Sequence, residues 1–318
     1  MDLKNTLLDI LTFRRPHNSN GEKAFIKKYM SRFEPIELQG EIVAYRYDNL
    51  KESKNKILWS SHIDTVHDPK NKRIKQDVYL DSKANIIFID EKKSDCLGAD
   101  DGAGVALMLS MIEHDVHGYY LFHRGEELGR IGSSKIAQFM TEHIATFTHA
   151  IAFDRRGTGS IITHQSMSRT CSDKFADQLA DLLGGSFKRD NTGSFTDTYS
   201  YYDLIPECSN VSIGYDSEHS PRECLDLDHV ISLSSAICSI DWAGIDLITD
   251  RDPSALDDYY RGEWWSSYSL GGYDLSIYDL ESMNMTDRYH YLKSLDKLDL
   301  VNLIEDLLFE YDRGKYIE

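Results

Sequence analysis

Short apolar runs recur along this chain, and each stops at a histidine or a carboxylate. The runs are KILWSSHID (56–64), GYYLFHRGEE (118–127), THAIAFD (148–154) and NVSIGYDSEH (210–219). An apolar run of this length bounded by polar residues reads as a strand. Stretches with helical spacing separate the runs, at 21–33, 102–114, 131–143, 172–183 and 227–248. Strands alternating with helices build an α/β sandwich with a largely parallel sheet. In such folds chemistry gathers outside the carboxyl ends of the strands, and that is where the polar residues fall.

The expected architecture is a three-layer α/β/α sandwich over residues 1–250, with a mixed, largely parallel central sheet. Further strands are expected near 36–47 and 85–90, and an amphipathic helix at the N-terminus. Residues 251–318 differ in character. They carry 15 acidic and 7 basic residues and many aromatics, and Leu300, Leu303, Ile304, Leu307, Leu308 and Tyr311 share one helical face. That segment is expected to be an appendage that packs on the first domain or at a subunit interface, so a homo-oligomer is one expectation.

Charge and cysteine usage narrow the function. A formal net charge of −18 argues against nucleic acid as a partner, because phosphate binding needs clustered Lys and Arg. No stretch approaches the ~18 consecutive apolar residues of a membrane span, so no membrane partner is expected. Five cysteines, with no C-x-x-C pair, give neither a disulfide framework nor a thiolate zinc site. The N-terminus lacks the basic start and apolar core of a secretory signal. The expected location is a reducing cytoplasm.

Five segments concentrate His, Asp and Glu at strand ends or glycine-bearing turns: SSHIDTV (60–66), LGADDGAG (97–104), GEELGRIGS (125–133), AFDRRGTG (152–159) and GYDSEHSPRE (214–223). Imidazole and carboxylate without thiolate suit zinc, manganese or cobalt in a hydrolytic site. Two metals about 3.5–4 Å apart can clamp a water and a substrate carbonyl. Such a pair needs about five protein ligands with one carboxylate shared, and five segments are present. Asp101 is open between a ligand hydrogen bond and a helix cap. Arg155, Arg156 and Arg222 lie beside candidate ligands, where they either anchor a substrate carboxylate or balance local acidity.

In this order the motifs resemble those of the co-catalytic di-zinc exopeptidases, which include peptidase T-like and glutamyl aminopeptidase-like enzymes. LGADDGAG and SSHIDTV are similar to the peptidase T branch, and the T-D…P…H-S-P-x-E run over 195–226 to the glutamyl aminopeptidase branch. The resemblance implies that Asp100 bridges two divalent ions, zinc first, with manganese and cobalt as alternatives. It implies that His62 and Asp154 complete one site, and Glu127 and His219 the other. Asp64 would orient the His62 imidazole, and Glu126 would shuttle a proton between the attacking water and the leaving amine.

Two departures bear on this. Peptidase T-like enzymes carry a lid domain between the fourth and fifth ligands, where this chain has a 65-residue interval. Glutamyl aminopeptidase-like enzymes insert a domain between the first and second, where it has 38. The expectation is therefore a lidless catalytic domain, with Tyr199, Tyr201 and Tyr202 as candidate replacements for a lid-borne oxyanion donor. The implied activity is a metallo-exopeptidase acting on short peptides, an aminopeptidase first. A carboxypeptidase or an acyl-amino-acid amidohydrolase acting on N-acyl amino acids would use the same site. A non-peptidase, glutaminyl cyclase-like relative is the alternative from another class.

Overall fold

The computed structural model describes residues 2–254 apart from residue 167. The appendage expected at 251–318 therefore lies, from residue 255 on, outside the described residues. Eight strands form the central sheet: β1 (Glu34–Leu38), β2 (Glu41–Asn49), β3 (Ile57–His62), β6 (Gly118–His123), β7 (His149–Arg155), β8 (Ser160–Ile162), β11 (Lys188–Asp190) and β12 (Glu207–Ser212). Their order is β1-β2-β6-β3-β7-β12-β8-β11. The middle of the sheet is parallel, through the pairs β6–β3, β3–β7 and β7–β12. The β1–β2 hairpin joins β6 antiparallel on one side, and β8 meets β12 antiparallel on the other. This is the mixed, largely parallel sheet that the alternation of runs implies.

A second sheet runs β13-β14-β5-β4, built from β4 (Tyr79–Asp81), β5 (Ile86–Phe88), β13 (Tyr215–Asp216) and β14 (Cys224–Asp226). The short strands β9 (His164–Gln165) and β10 (Ser168–Arg169) pair with each other.

Helices cover both faces of the central sheet. On one face lie α1 (Leu3–Leu11), α3 (Ala99–Glu113), α6 (Asp173–Leu183) and α7 (Leu227–Ser239), whose apolar residues share a core with Trp59, Tyr120 and Phe122. On the other lie α4 (Ile131–Phe139), α5 (Thr141–Ile144) and a 3-10 turn at Asp197–Tyr201, packed on Leu58, Tyr119 and Leu121. Successive residues of β3 and β6 thus feed opposite cores, as the period of two requires. Helix α3 is buried from Ala99 through Met111, so it is a central element rather than an amphipathic cover. Helix α2 (Asn20–Phe25) starts on a Ser19–Glu22 cap, in which Ser19 accepts the Glu22 N–H and Glu22 accepts the Asn18 N–H.

Two local expectations change. The helix read over 21–33 is α2 followed by a π-helical turn at Ile26–Met30. The long helix read over 227–248 ends at Ser239, because Ile240 turns extended. Beyond it Trp242 is buried, donates its indole N–H to Ile237 O, and packs edge-on against Trp59 at 5.0 Å. The Asn55 amide then takes the carbonyls of Trp242 and Ile245. Tertiary anchors override helical periodicity there.

The 65-residue interval between Asp154 and His219 supplies β8, β11 and β12 to the central sheet and α6 to its face. It forms part of the sandwich, not a separate lid. Near the end of the described residues Arg251 reaches back to this interval and donates to the carbonyls of Tyr202, Ile205 and Pro206, and the buried Glu207 carboxylate accepts the N–H groups of Asp250 and Arg251.

Candidate active site

The parallel strands end level with one another. His62 pairs with His123, and Ser60 with Ala152, which pairs in turn with Asn210. The residues just past these pairs converge on one spot. His62 closes β3 and is fully buried. Its Nε2 lies 3.0 Å from Asp100 Oδ1 and 3.6 Å from Asp154 Oδ1. His219 Nε2 lies 3.1 Å from Asp100 Oδ2 and 3.2 Å from Glu127 Oε2. Two donor clusters result, His62–Asp100–Asp154 and Asp100–Glu127–His219, and both contain Asp100.

Local structure aims each group. Asp100 and Asp101 open α3 with non-helical backbone, which points the Asp100 carboxylate outward between the two imidazoles. Asp101 turns inward, where its carboxylate accepts the N–H of His62 at 3.2 Å and of Gly104 at 3.0 Å. Of its two open readings, the cap is the one these contacts fit. Gly104 is required by contact: a Cβ there would meet Asp101 Oδ1 at 2.3 Å and Phe153 O at 2.5 Å. Gly125, at φ +75°, starts the turn that carries both glutamates.

Asp64 is placed somewhat differently from its expected part. The His62 Nδ1 lies 3.1 Å from the Asp64 backbone carbonyl and 3.8 Å from its carboxylate. The carboxylate instead accepts the N–H groups of Gly125 at 2.8 Å, Glu126 at 3.2 Å and Glu127 at 3.2 Å. One buried residue thus orients the imidazole through its main chain and the Gly-Glu-Glu turn through its side chain.

Several supporting residues were not among the sequence candidates. The Asn210 amide brackets the Asp154 backbone, accepting its N–H at 2.8 Å and donating to its carbonyl at 2.7 Å. Thr196 Oγ1 donates to Asp154 Oδ2 at 2.5 Å, and Tyr215 Oη to Oδ1 at 3.2 Å. Glu223 accepts the four consecutive N–H groups of Leu97, Gly98, Ala99 and Asp100 at 2.7–3.1 Å. Arg15, fully buried, donates to Ile63 O, between His62 and Asp64, and to Gly98 O, ahead of Asp100. All are contacts between distant segments. Only the H-S-P-x-E spacing hinted at Glu223.

Other sequence candidates are drawn elsewhere. Tyr201 is buried with its hydroxyl 2.7 Å from His123 Nε2, and Tyr199 and Tyr202 stack at 4.9 Å. These positions match packing better than an oxyanion donor. Arg155 meets Asp190 and Thr192, and Arg156 meets Glu218.

The electrostatics fit a cation centre. Burial pushes the Glu126 carboxyl up to about 10, with Asp154, Asp197 and Asp100 adding to the rise. Burial and the Asp100 charge push Asp154 up to about 7. Burial also raises Glu127, whose Oε1 is buried without a hydrogen-bond partner. Asp100 alone falls below the usual carboxylate range, because hydrogen bonds from His219 and His62 outweigh its burial. Those same contacts with Asp100 and Glu127 raise His219 to about 11. Buried negative charge here exceeds what two imidazoles can neutralise, a deficit that divalent cations on these donors would offset. The donors, carboxylate oxygen and imidazole nitrogen, are those of zinc, manganese or cobalt sites.

No family model matches the chain, and no curated protein does. Solved structures do match. The aminopeptidase PepT from Bacillus cereus ATCC 10987 aligns at a TM-score of 0.59 and 14% identity, over 76% of this chain and 98% of that one. A tripeptidase from Staphylococcus aureus subsp. aureus Mu50 aligns at 0.59 and 15%, over 76% and 96%. The TET1 peptidase of Pyrococcus horikoshii, described as assembling into a tetrahedron or a large octahedral shell, aligns at 0.53 and 14%, over 77% and 100%. At these identities the likeness is one of fold: this chain has the α/β sandwich of those peptidases.

Proposed function

We propose that this chain is a metal-dependent exopeptidase that hydrolyses short peptides, an aminopeptidase in the first instance. The observation that carries the reading is the pair of donor clusters joined through Asp100, with Glu126 beside them on the same turn as Glu127. The fold shared with aminopeptidases and a tripeptidase supports it.

His62, Asp100 and Asp154 would hold one divalent cation, and Asp100, Glu127 and His219 the other. When bound, such a pair lowers the pKa of water and polarises a carbonyl. The chain's own residues do the rest. Glu126 takes the proton of the attacking water and returns it to the leaving amine nitrogen. Asp64 fixes the turn that presents Glu126 and keeps the His62 Nδ1 proton turned to the main chain, leaving Nε2 to face the carboxylates. Glu223 and Asp101 hold the backbone around Asp100, so the shared carboxylate is set before any ligand arrives.

The test combines a metal count on purified, metal-loaded protein with hydrolysis of short peptides that are free, N-acylated or C-terminally amidated. Two ions per chain and cleavage that requires a free N-terminus are the expected results. One ion or none would overturn the di-metal reading, and a single ion with cyclisation of N-terminal glutamine would favour the cyclase-like alternative. Cleavage of N-acylated substrates would assign an amidohydrolase instead, and cleavage from the C-terminus a carboxypeptidase. The likeness to a shell-forming peptidase supports a homo-oligomer, which light scattering would measure. Five free cysteines support a reducing compartment. Among the described residues no helix is long and apolar enough to cross a membrane.

A further inference from the structure

Arg130 sits on the turn that carries the two glutamates, and its backbone N–H donates to Glu126 O at 2.8 Å. Its guanidinium carbon lies 4.8 Å from the centroid of the Phe195 ring and 4.9 Å from that of Tyr199. Nη1 donates to Ser200 Oγ at 3.0 Å, and Ser200 is itself tied to Ser133. Nε is buried with no hydrogen-bond partner. Among the described residues no carboxylate lies within ion-pairing distance of this guanidinium.

Many arginines of this acidic chain are ion-paired, and Arg15 and Arg251, which also lack a carboxylate partner among the described residues, spend their donors on backbone carbonyls. Arg14 is paired with Asp95, Arg124 with Glu22, Arg155 with Asp190 and Arg156 with Glu218. Arg130 is held by rings and a hydroxyl instead. Its surroundings border the donor clusters on both sides. Phe195 is 46% exposed and precedes Thr196, which hydrogen-bonds Asp154. Leu128, 62% exposed, follows Glu127.

We propose that Arg130 is the anchor for a carboxylate of the substrate, and that this, rather than Arg155 or Arg156, sets the enzyme's preference for acidic-ended or acidic peptides. The proposal rests on the peptidase reading. With Nε buried and one Nη1 hydrogen on Ser200, the Nη2 hydrogens and the second Nη1 hydrogen remain in plane for the two oxygens of a carboxylate. Arg130 lies three residues beyond Glu127, so their Cα atoms are within about 11 Å, the span of roughly three extended peptide residues. A carboxylate two or three residues from the scissile bond falls in that range. It has two sources, the C-terminus of a di- or tripeptide and an Asp or Glu side chain.

The experiment uses one short peptide sequence in three forms: free acid, C-terminal amide, and amide with an acidic side chain. Each is assayed with the wild type, Arg130→Met and Arg130→Lys. The wild type should favour a carboxylate-bearing form over the plain amide by about tenfold to a hundredfold in kcat/KM. Arg130→Met should lose that preference through KM with kcat retained and the amide unaffected, and Arg130→Lys should recover part of it. The form that shows the preference names the source. Equal treatment of acid and amide by the wild type would overturn the proposal, and so would an undiminished preference in Arg130→Met. Calorimetric binding of the acid and amide forms to both proteins runs beside the kinetics. Preference for the acid in binding, lost in Arg130→Met, with no hydrolysis by the wild type, would keep the anchor and overturn the peptidase reading.

Discussion

Glu223 accepts the backbone N–H of Asp100 at 3.1 Å. The last acid of one motif therefore fixes the carboxylate that belongs to both donor clusters, across 123 residues of sequence. The site is a set of such long-range holds, and its behaviour on substitution follows from them.

Glu223→Ala would leave four consecutive buried N–H groups without their acceptor. A buried unsatisfied donor costs about 1–3 kcal/mol, and partial rehydration trims the sum. A net loss of about 3 kcal/mol is expected, or roughly 6–12 °C in melting temperature for a domain of this size. Thermal unfolding checks it. A drop of one degree would mean that the four contacts are dispensable.

Asp100→Ala should abolish binding of both ions, because no cluster is complete without it. Asp154→Ala should spare the second cluster and leave one. Elemental analysis of the two variants distinguishes them, and equal metal content in both would contradict a shared carboxylate.

Glu126→Gln keeps side-chain shape and removes the proposed base. Metal content should survive while turnover falls by about 10²–10⁴ or more, since in the proposed mechanism one group would serve two proton transfers. Glu127→Gln should lower metal occupancy together with rate. Peptide hydrolysis at near wild-type rate by Glu126→Gln would refute the assigned roles of this pair.

Glu22, which belongs to neither donor cluster, gives a pH-dependent prediction. It is buried, and although burial pushes its carboxyl up, His17 and Arg124 outweigh that and hold it below the usual range. Arg124 meets it through Nε at 2.9 Å and Nη2 at 2.8 Å. A folded-state pKa below the unfolded value of ~4.3 adds stability above that value, lost as pH falls through the folded pKa. Glu22→Gln should therefore be less stable than wild type at pH 7, by about 1.5–3 kcal/mol. The gap should close below about pH 4, which chemical denaturation at several pH values would show. A gap independent of pH would remove the ion pair from the account.

What could be read in the sequence was local. The apolar runs at 57–62, 118–123 and 149–154 announce parallel strands by length and composition, and the groups past their ends are those the structure brings together. The grouping of His62, Asp100, Glu127, Asp154 and His219 was implied by the resemblance in motif order, and the structure brings the five together. The partners that position them were hidden for one physical reason. Asn210 and Arg15 stand in no motif, Thr196 and Tyr215 lie in quoted segments that name no role for them, and all four act only after distant segments meet. The overextended helix at 227–248 has the same origin: its periodicity continues past Ser239, but Asn55 and Trp59 claim Trp242 for a different backbone path. The π-helical turn after Phe25 leaves no mark in hydrophobic spacing.

The position of Glu223 so far down the chain has a consequence in time. Synthesis runs from the N-terminus, and by residue 154 four of the five candidate ligands have been made. The loop bearing Asp100 still lacks the acceptor for its four N–H groups, and His219 does not yet exist. A nascent chain therefore carries no complete pair of donor clusters until the β13–β14 hairpin has formed and docked. The two donor clusters in this way stay incomplete until more than two thirds of the chain has been made, and they close only when most of the sandwich is in place.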